Sequence, residues 1–366
     1  MKVLIFAGLT RSLISFRGEL IRAMTARGHE VVALAPEPGY EQELAALGAR
    51  FVQMPVARTS VNPFRDLGLL FRLRRAMKRE KPDVYFGYTI KPCIYGSIAA
   101  RLAGVRRRCA MITGLGSLFI ARGGKRGMVR RIAELLYRVG LSGCQRVLFQ
   151  NPDDRDEFVR KGLVKADRCA VVNGSGVDMS YYRPVPLPEE PAFLFVGSVM
   201  RDKGVCEYLQ AARMLRQTHP QARCRILGGM QDRLGCLSEA ELEPYTRDGS
   251  VEYCGETRDV RPYLAACRVF VLPSYREGTS RAALEAMACG RAVLTTDAPG
   301  CRQTVVPGEN GWLVPPGDAQ ALYEKMCWMA DHPEETAQMG ARSLALCAEK
   351  YEVGRVNEVM LRELGL

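Results

Sequence analysis

Two stretches of the chain share one pattern of hydrophobic and polar positions. At the start, the apolar run 1–6 is followed by a loop of small residues, and apolar positions then recur with helical spacing as far as Arg27. In the middle of the chain, an apolar run at 192–196, a loop at 197–204 and a periodic segment at 205–216 repeat the plan. Each stretch therefore predicts a strand, a loop and a helix, which together open a βαβ unit.

A proline-rich segment separates the two halves. Residues 182–191 hold four prolines in ten positions, which is typical of a linker. We therefore expect an N-terminal domain at 1–184 and a C-terminal domain at 189–348. The predicted fold class is α/β with two Rossmann-like domains, and a chain of 366 residues is long enough for two such domains.

The segment from Glu277 to Glu285 carries the strongest chemical signal in the chain. It follows an apolar run at 269–273, which predicts a buried strand, and it continues into a helix that ends near Gly290. Glu277 lies in the loop and Glu285 in the helix, and eight residues at a helical rise of about 1.5 Å each place the two carboxylates roughly 12 Å apart. They can therefore accept hydrogen bonds from two hydroxyl-bearing parts of one long ligand. A helix N-terminus between them favours a phosphate, and the N–H groups that form it belong to Gly278, Thr279 and Ser280.

The loop at 197–204 offers positive charge to the same phosphates. Lys203 lies next to Gly204, between a predicted strand and a predicted helix, and is placed to reach a diphosphate. Arg201 adds a second cation. The alternative interpretation of this loop is an ordinary hydrophilic turn.

These segments resemble the retaining glycosyltransferases of the GT-B fold, and family 4 of that class in particular. The resemblance implies two Rossmann-like domains facing a cleft, with a final helix at 349–366 that crosses back to the N-terminal domain. It also implies that Glu277 contacts the donor sugar, that Glu285 contacts the ribose, and that Lys203 binds the diphosphate.

Two further details of the donor site follow from the same resemblance. Ser198 stands where the family has an arginine, and Arg201 is the candidate replacement. The segment that contains Glu256 and Thr257 lies where the family binds the nucleotide base, largely through backbone groups.

Three segments of the first half concern the acceptor. Residues 88–96, 113–119 and 149–156 resemble a subgroup that extends undecaprenyl-diphosphate-linked oligosaccharides, the N-acetylgalactosaminyltransferases of bacterial glycoprotein and capsule assembly. The resemblance implies that the N-terminal domain binds the acceptor. The acceptor-binding residues that we expect are Gly8, Thr10, Lys91 and Thr113.

Nothing in the sequence favours a metal site. Asp154-Arg-Asp156 has the Asp-x-Asp form of a metal motif, but the Asn-Pro-Asp that precedes it predicts a helix N-cap instead. The 13 cysteines form no Cys-x-x-Cys pair and no cluster with zinc-ligand spacing. We therefore expect no metal and no cofactor, with a UDP-sugar as the donor substrate.

Positive charge is concentrated in the first half of a chain whose net charge is +12. The basic clusters lie at Arg65–Lys81, 106–108 and Arg122–Arg138, and they favour an anionic partner. The apolar residues interleaved in the two longer clusters favour a membrane surface, while a solvated helix face is the alternative. No apolar run approaches the ~20 residues that span a bilayer. We expect a cytoplasmic protein that is peripheral on the inner face of the cytoplasmic membrane.

The interpretation that the sequence favours is a metal-independent, retaining glycosyltransferase. It would move a sugar, an N-acetylhexosamine, from a UDP donor to a polyprenyl-diphosphate-linked saccharide. One alternative is a nucleotide-sugar epimerase on the same fold, which would leave the basic, apolar helices unexplained. Another is a basic nucleic-acid-binding protein, but no recognised nucleic-acid module appears in the chain.

Overall fold

The chain divides into two units along its sequence. The computed structural model describes residues 1–57, 63–116, 124–230 and 235–366. The first unit consists of Met1–Ser175 together with Val353–Leu366, and the second consists of Gly176–Glu352. Within the described ranges, every helix is too short or too polar to span a bilayer.

The division between the units falls earlier than the proline-rich linker. We expected the boundary at 184, but residues 176–184 belong to the second unit. The reason is a backbone contact: the N–H of Val177 donates to the carbonyl of Tyr351, near the end of that unit, at 2.8 Å. Residues 349–352, which we expected in the final helix, also belong to the second unit.

In the described part of the first unit, seven parallel strands form one sheet. They are β1 (Lys2–Ala7), β2 (Glu30–Ala35), β3 (Ala49–Gln53), β4 (Val84–Tyr88), β5 (Arg107–Ile112), β6 (Arg146–Phe149) and β7 (Cys169–Val171). The order across the sheet is β3-β2-β1-β4-β5-β6-β7. The strand order therefore reverses between β1 and β4, and in open α/β sheets this switch point is where ligands bind.

Helices cover both faces of the first sheet. They are α1 (Thr10–Ala26), α2 (Glu41–Ala46), α3 (Pro63–Glu80), α4 (Ser97–Ala103), α5 (Gly124–Leu141) and α6 (Pro152–Arg160), with a π-helical segment, Pro92–Gly96, directly before α4. Apolar residues of α1 and α2 pack with Val3 and Ile5 on one face. Those of α3 and α4 pack with Leu4 and Phe6 on the other face. Neighbouring residues of a strand point to opposite faces, so α3 and α4 lie opposite α1.

The second unit repeats the plan with a six-stranded sheet in its described part. Its strands are β8 (Ala192–Val196), β9 (Arg223–Leu227), β10 (Glu252–Tyr253), β11 (Val269–Leu272), β12 (Ala292–Thr296) and β13 (Gly311–Val314). Its helices are α7 (Val205–Thr218), α8 (Glu239–Arg247), α9 (Arg261–Ala265), α10 (Arg281–Ala288), α11 (Ala319–Asp331) and α12 (Pro333–Lys350). The strand order is β10-β9-β8-β11-β12-β13, and the pairs are parallel. The predicted α/β class with two Rossmann-like units is thus confirmed.

The last helix, α13 (Val353–Leu364), belongs to the first unit. Its buried residues Val356, Met360 and Leu361 join the apolar cluster that includes Val3 and Ile5. The chain therefore returns to its first unit after completing the second.

The Asp-x-Asp segment is the start of a helix. The side chain of Asn151 accepts a hydrogen bond from the N–H of Asp154 at 2.8 Å, and Pro152 follows it at the first helical position. Asp156 is exposed and pairs with Arg155 at 2.7 Å. The predicted N-cap is confirmed.

Candidate functional site

The loops after β8 and β11 lie side by side in the second unit. Their strands are neighbours in a parallel sheet, so both loops leave the same carboxyl edge. The N–H of Tyr275 and the hydroxyl of Ser274 both donate to the carbonyl of Asp202, at 3.0 and 3.2 Å. These bonds fix the predicted phosphate loop against the start of the Glu277 loop.

Gly204 makes this close approach possible. Its φ of +73° lies in the left-handed region, and a Cβ there would stand 2.0 Å from the carbonyl oxygen of Pro273. Any side chain at this position would push the two loops apart. Lys203 is therefore placed by backbone that has little freedom to move.

Lys203 and Glu277 form an ion pair between the two loops. The Lys203 Nζ donates to Oε1 of Glu277 at 2.5 Å, and both side chains are partly buried. Burial disfavours the charged form of Lys203, but the neighbouring Glu277 carboxylate outweighs it and raises the lysine pKa. The structure thus brings together the predicted cation for the diphosphate and the predicted carboxylate for the donor sugar.

The segment between Glu277 and α10 is braced from two sides. Ser280 is the N-cap, and its hydroxyl accepts from the N–H of Ala283 at 3.3 Å. The N–H of Glu277 donates to the carbonyl of Pro299 at 2.9 Å. A Cβ on Gly300 would lie 2.1 Å from the carbonyl oxygen of Glu277, so the loop after β12 supports this turn at close range. Thr279 donates its hydroxyl to the carbonyl of Gly278 at 3.0 Å.

Glu285 lies one turn into α10 and is buried. Arg281 Nε donates to its carboxylate at 2.8 Å. Burial raises the pKa of Glu285, while Arg281 and the hydroxyl of Tyr182 oppose that rise. Burial, and then the neighbouring Glu285 carboxylate, raise the pKa of Tyr182.

Sequence reasoning missed both partners of Glu285. The spacing of four residues on a helix was a usable signal for Arg281, because such side chains are neighbours on the helix surface. Tyr182 had no such signal, since more than 100 positions separate it from Glu285.

Arg201 does not join Lys203 and Glu277. Its exposed guanidinium pairs with Glu241 near the start of α8, and Nη1 lies 3.4 Å from Sγ of Cys206. Glu241 is itself held in a capping box with Ser238. The two cations of the predicted phosphate loop therefore have separate partners.

The predicted base-binding loop lies beyond β10, on the same carboxyl edge. The carboxylate of Glu256 packs against the loop after β9. Its Oε2 lies 2.8 Å from the position that a Cβ on Gly229 would occupy. Thr257 donates its hydroxyl to the carbonyl of Asp259 at 3.2 Å and accepts from the Asp259 N–H at 3.2 Å. Thr257 therefore shapes the turn that begins α9.

In the first unit, Thr10 is fully buried and bonded to Glu37. Its N–H and its hydroxyl lie 2.6 and 2.7 Å from Oε2 of Glu37, which follows β2. This carboxylate already occupies the N-terminus of α1, where an anionic ligand would otherwise be favoured. Thr10 thus joins two loops of the protein, and its geometry does not support the direct acceptor contact that we expected.

Lys91 is paired in a similar way. Its Nζ donates to Oδ1 of Asp66 at 2.5 Å, and the hydroxyl of Tyr95 donates to Oδ2 at 2.9 Å. Asp66 is buried, and so is most of the Lys91 side chain. Burial and the aspartate raise the pKa of Tyr95. Asp66 of α3, Lys91 just before the π-helical segment and Tyr95 within that segment therefore form one polar cluster around the buried aspartate.

The remaining acceptor candidates lie at the carboxyl edge of the first sheet. Gly8 follows β1 and Thr113 follows β5, and Thr113 is partly exposed. Thr89 follows β4 and has a φ of +72°, which is strained for a β-branched residue, and strained backbone concentrates at functional sites. Its hydroxyl lies 2.9 Å from where a Cβ on Gly8 would be. Thr89 lies in the segment 88–96 that carries the resemblance to the acceptor subgroup, but nothing in the sequence distinguished it from its neighbours there.

Throughout the part of the chain that the structure describes, no three His, Cys, Asp or Glu side chains are grouped to hold a metal ion.

Comparisons with known proteins agree with this two-part arrangement. Residues 16–174 match the family described as glycosyl transferase 4-like domain, and residues 190–332 match glycosyl transferases group 1. The chain is 29% identical, over 93% of its length and 92% of the relative's, to the N,N'-diacetylbacillosaminyl-diphospho-undecaprenol alpha-1,3-N-acetylgalactosaminyltransferase of Campylobacter jejuni. It is 25% identical to the UDP-Gal:alpha-D-GlcNAc-diphosphoundecaprenol alpha-1,3-galactosyltransferase of Escherichia coli, over 76% of this chain and 74% of that protein.

Solved structures show the same fold. The HepE protein of Anabaena in complex with UDP superposes over 100% of both chains with a TM-score of 0.78, at 18% identity. A sucrose-phosphate synthase from Thermosynechococcus elongatus gives a TM-score of 0.81 over 99% of this chain and 98% of the other, at 20% identity.

Proposed function

Because the chain belongs to the GT-B glycosyltransferases, with a 4-like domain followed by a group 1 domain, we propose that it transfers a sugar from a UDP-sugar to a polyprenyl-diphosphate-linked saccharide with retention of configuration. The sugar that we assign is an N-acetylhexosamine. The names of two relatives support this choice, since both describe transfer to a diphospho-undecaprenol-linked saccharide and one describes an N-acetylgalactosaminyl group.

The observation that carries the proposal is the ion pair between Lys203 and Glu277 beside the start of α10. When the donor binds, Lys203 exchanges the Glu277 carboxylate for the diphosphate, and Glu277 becomes able to accept from the sugar hydroxyls. The N–H groups of Gly278, Thr279 and Ser280 support the same diphosphate. Positive charge at that position stabilises the leaving group as its negative charge develops.

The rest of the donor is assigned to neighbouring groups. Glu285 accepts from the ribose hydroxyls, and the loop with Glu256 and Thr257 holds the base. Arg201 keeps its pair with Glu241 and receives no donor contact in this proposal.

The chemistry needs no covalent nucleophile from the protein. The acceptor hydroxyl attacks the anomeric carbon from the face that the diphosphate leaves, so configuration is retained. The new C–O bond forms as the bond to the diphosphate breaks, and the hydroxyl proton passes to the departing phosphate oxygen. The protein contributes position and electrostatic stabilisation.

The acceptor is assigned to the first unit. We place it at the carboxyl edge of that sheet, near Gly8, Thr113 and the loop that carries Lys91, with the side chains of Thr10 and Lys91, each bonded within the protein, in supporting positions. A lipid-linked acceptor keeps its diphosphate at a bilayer surface, so the enzyme works as a peripheral protein on the inner face of the cytoplasmic membrane. The basic segments Arg65–Lys81 and Arg122–Arg138 favour that surface.

Nucleotide release tests the proposal. The protein is incubated with UDP- and GDP-sugars, each with and without an undecaprenyl-diphosphate-linked saccharide, and free nucleotide and glycosylated product are measured. We expect acceptor-dependent release of UDP and an α-linked product by NMR. Release of UDP without transfer, together with an epimerised sugar, would favour the epimerase alternative and refute the transferase.

A further inference from the structure

The outer surface of α3 carries large apolar side chains in a single line. Phe64, Leu67 and Phe71 are 50–84% exposed. Their spacing of three and then four residues places them on one side of the helix. The opposite side of α3, with Leu69 and Leu73, is buried against the sheet. Isolated apolar residues are common on protein surfaces, but a continuous line on one helix calls for a partner.

Helix α5 has a second line of the same kind. Met128, Ile132, Leu135 and Val139 are 50–67% exposed. They recur at four, three and four residues, so they too share one side of their helix. The buried side of α5, which includes Tyr137, packs in the core of the first unit.

Both lines belong to one layer of the first unit. Helix α4 packs between α3 and α5 and adds Leu102, which is 54% exposed. Gly87 of β4 lies beside Ala110 of β5, and Tyr85, two residues before Gly87, points to the same face of the sheet. Ala110 packs with apolar residues of α5 and Tyr85 with those of α3, so both helices cover this face. We call the exposed side of these three helices the apolar face.

The exposed charges on the apolar face are positive, which favours an anionic partner for this surface. Exposed basic side chains lie among the apolar ones, and the acidic side chains of α3 and α5 are buried or paired. The exposed basic residues are Arg72, Arg75 and Lys78 on α3, and Arg131 and Arg138 on α5. Asp66 pairs with Lys91, Glu80 with Arg50, and Glu134 with Lys161. A second copy of this face would meet it with like charge, whereas an anionic bilayer offers opposite charge and an apolar interior.

The apolar face begins at the candidate acceptor edge. In a parallel sheet joined by helices, each helix starts near the carboxyl ends of the strands, so Phe64, Leu67 and Met128 lie towards that edge. Asp66, which lies between Phe64 and Leu67 in the sequence, accepts a hydrogen bond from Lys91. Helix α3 is therefore tied directly to the loop that we assign to the acceptor.

We propose that the apolar face of α3, α4 and α5 docks on an anionic lipid bilayer, with the exposed Phe, Leu, Met and Ile side chains inserted among the lipids and the arginines at the headgroups. This inference rests on the proposed function in one respect: the lipid-linked acceptor of that function would lie at the same bilayer surface. It explains why large apolar side chains and unopposed basic ones share one layer.

Vesicle sedimentation tests the docking. Purified protein is mixed with phosphatidylglycerol-containing vesicles and with pure phosphatidylcholine vesicles at low salt. We expect binding to the anionic vesicles that falls progressively as salt is added, since headgroup attraction is screened. Equal binding to both vesicle types would overturn the anionic assignment, and no binding to either would overturn the docking.

Two apolar variants and one control locate the surface. Leu67→Ser with Phe71→Ser, and Ile132→Ser with Leu135→Ser, should each weaken vesicle binding about tenfold or more, because inserted apolar area is lost. Phe16→Ser is the matched control, because Phe16 is 41% exposed on α1, on the other face of the sheet, and should bind like the wild type. Equal losses in all three variants would refute the assigned face.

A charge variant and an assembly measurement complete the test. Arg75→Gln with Arg131→Gln should weaken binding roughly tenfold at low salt and make it less dependent on salt. Sedimentation equilibrium without vesicles should give a monomer. A dimer that the Leu67 and Ile132 variants dissociate would show that a second copy covers the face, and would overturn the proposal.

A separate measurement tests the proposed function independently of the docking. Transfer to a water-soluble, short-chain analogue of the acceptor should be the same in the wild type and in all the serine variants. If the wild type shows no transfer at all, the proposed function fails while the vesicle measurements still decide the docking.

Discussion

The two units differ in how their predicted site residues are placed. In the second unit, Lys203 and Glu277 come from different loops and meet at the edge of the sheet. In the first unit, Thr10 and Lys91 are bonded to Glu37 and Asp66, which are buried or partly buried parts of the same unit. One pair joins two groups that the donor would separate, while the other two pairs hold the fold together.

An ion pair that is already formed can still lie in a ligand site when the ligand offers each member a new partner. In our proposal Lys203 moves to the diphosphate and Glu277 accepts from the sugar hydroxyls, so neither charge is left without a partner. Among the residues that the structure describes, separating Lys91 from Asp66 would leave the buried carboxylate with the Tyr95 hydroxyl as its remaining partner. Such a group is costly to leave uncompensated.

The largest effect should come from Lys203→Ala. We expect kcat/KM to fall about 100-fold, because the charge that stabilises the departing diphosphate is removed. Arg201→Ala is the matched control from the same loop and should stay within about threefold of the wild type, since Arg201 pairs with Glu241. Steady-state kinetics measure both, and equal losses would show that Arg201 also serves the donor.

A substitution in the first unit should act on stability instead. Asp66→Asn should lower the free energy of unfolding by about 2–3 kcal/mol, because the mostly buried Lys91 ammonium loses its carboxylate. Denaturant titration measures this loss, and UDP affinity should be unchanged. Glu358→Gln, which breaks the exposed pair with Arg27, is the control and should cost less than about 1 kcal/mol. A large drop in UDP affinity for Asp66→Asn would remove the contrast between the units.

Glu277→Gln should cut turnover at least about tenfold, because an amide gives weaker hydrogen bonds to the sugar hydroxyls than a carboxylate does. It should leave UDP affinity unchanged or tighter, since Glu277 competes with the diphosphate for Lys203. Isothermal titration with UDP, beside turnover with the complete donor, separates the two effects. Normal turnover in the folded variant would remove Glu277 from the site.

Arg281→Gln should give a smaller effect that depends on pH. Burial already raises the pKa of Glu285, and Arg281 opposes this, so its loss raises that pKa further. The carboxylate form accepts from the ribose, so UDP affinity should fall several-fold near neutral pH and recover as pH rises. Arg281→Lys should restore most of the affinity. A loss that is the same at every pH would indicate a purely structural role for Arg281.

The fold and the meeting of Lys203 with Glu277 could be predicted from the sequence, because both depend on local patterns. Apolar runs bounded by glycine loops mark β8 and β11, and parallel neighbours necessarily bring their loops to one edge, so Lys203 and Glu277 could be placed in one site. The final bonds could not be predicted in this way. The pairing of Thr10 with Glu37, of Arg201 with Glu241 and of Tyr182 with Glu285 depends on side-chain directions that only the packed structure settles. The domain boundary moved for a similar reason, since one backbone bond from Val177 joins the segment before the linker to the second unit.

The smallest expected effect tests whether the second unit supplies all the positive charge that the donor needs. Our proposal assigns the diphosphate to Lys203 and to the start of α10, so the transfer rate should be unchanged when EDTA is added in excess over total divalent metal. The control is the same reaction with added magnesium or manganese, which should not accelerate it beyond its rate in EDTA. Complete loss of transfer on chelation, restored by either ion, would mean that a cation shares the diphosphate with Lys203. The exchange of Lys203 between Glu277 and the donor would then be only part of how the leaving group is stabilised.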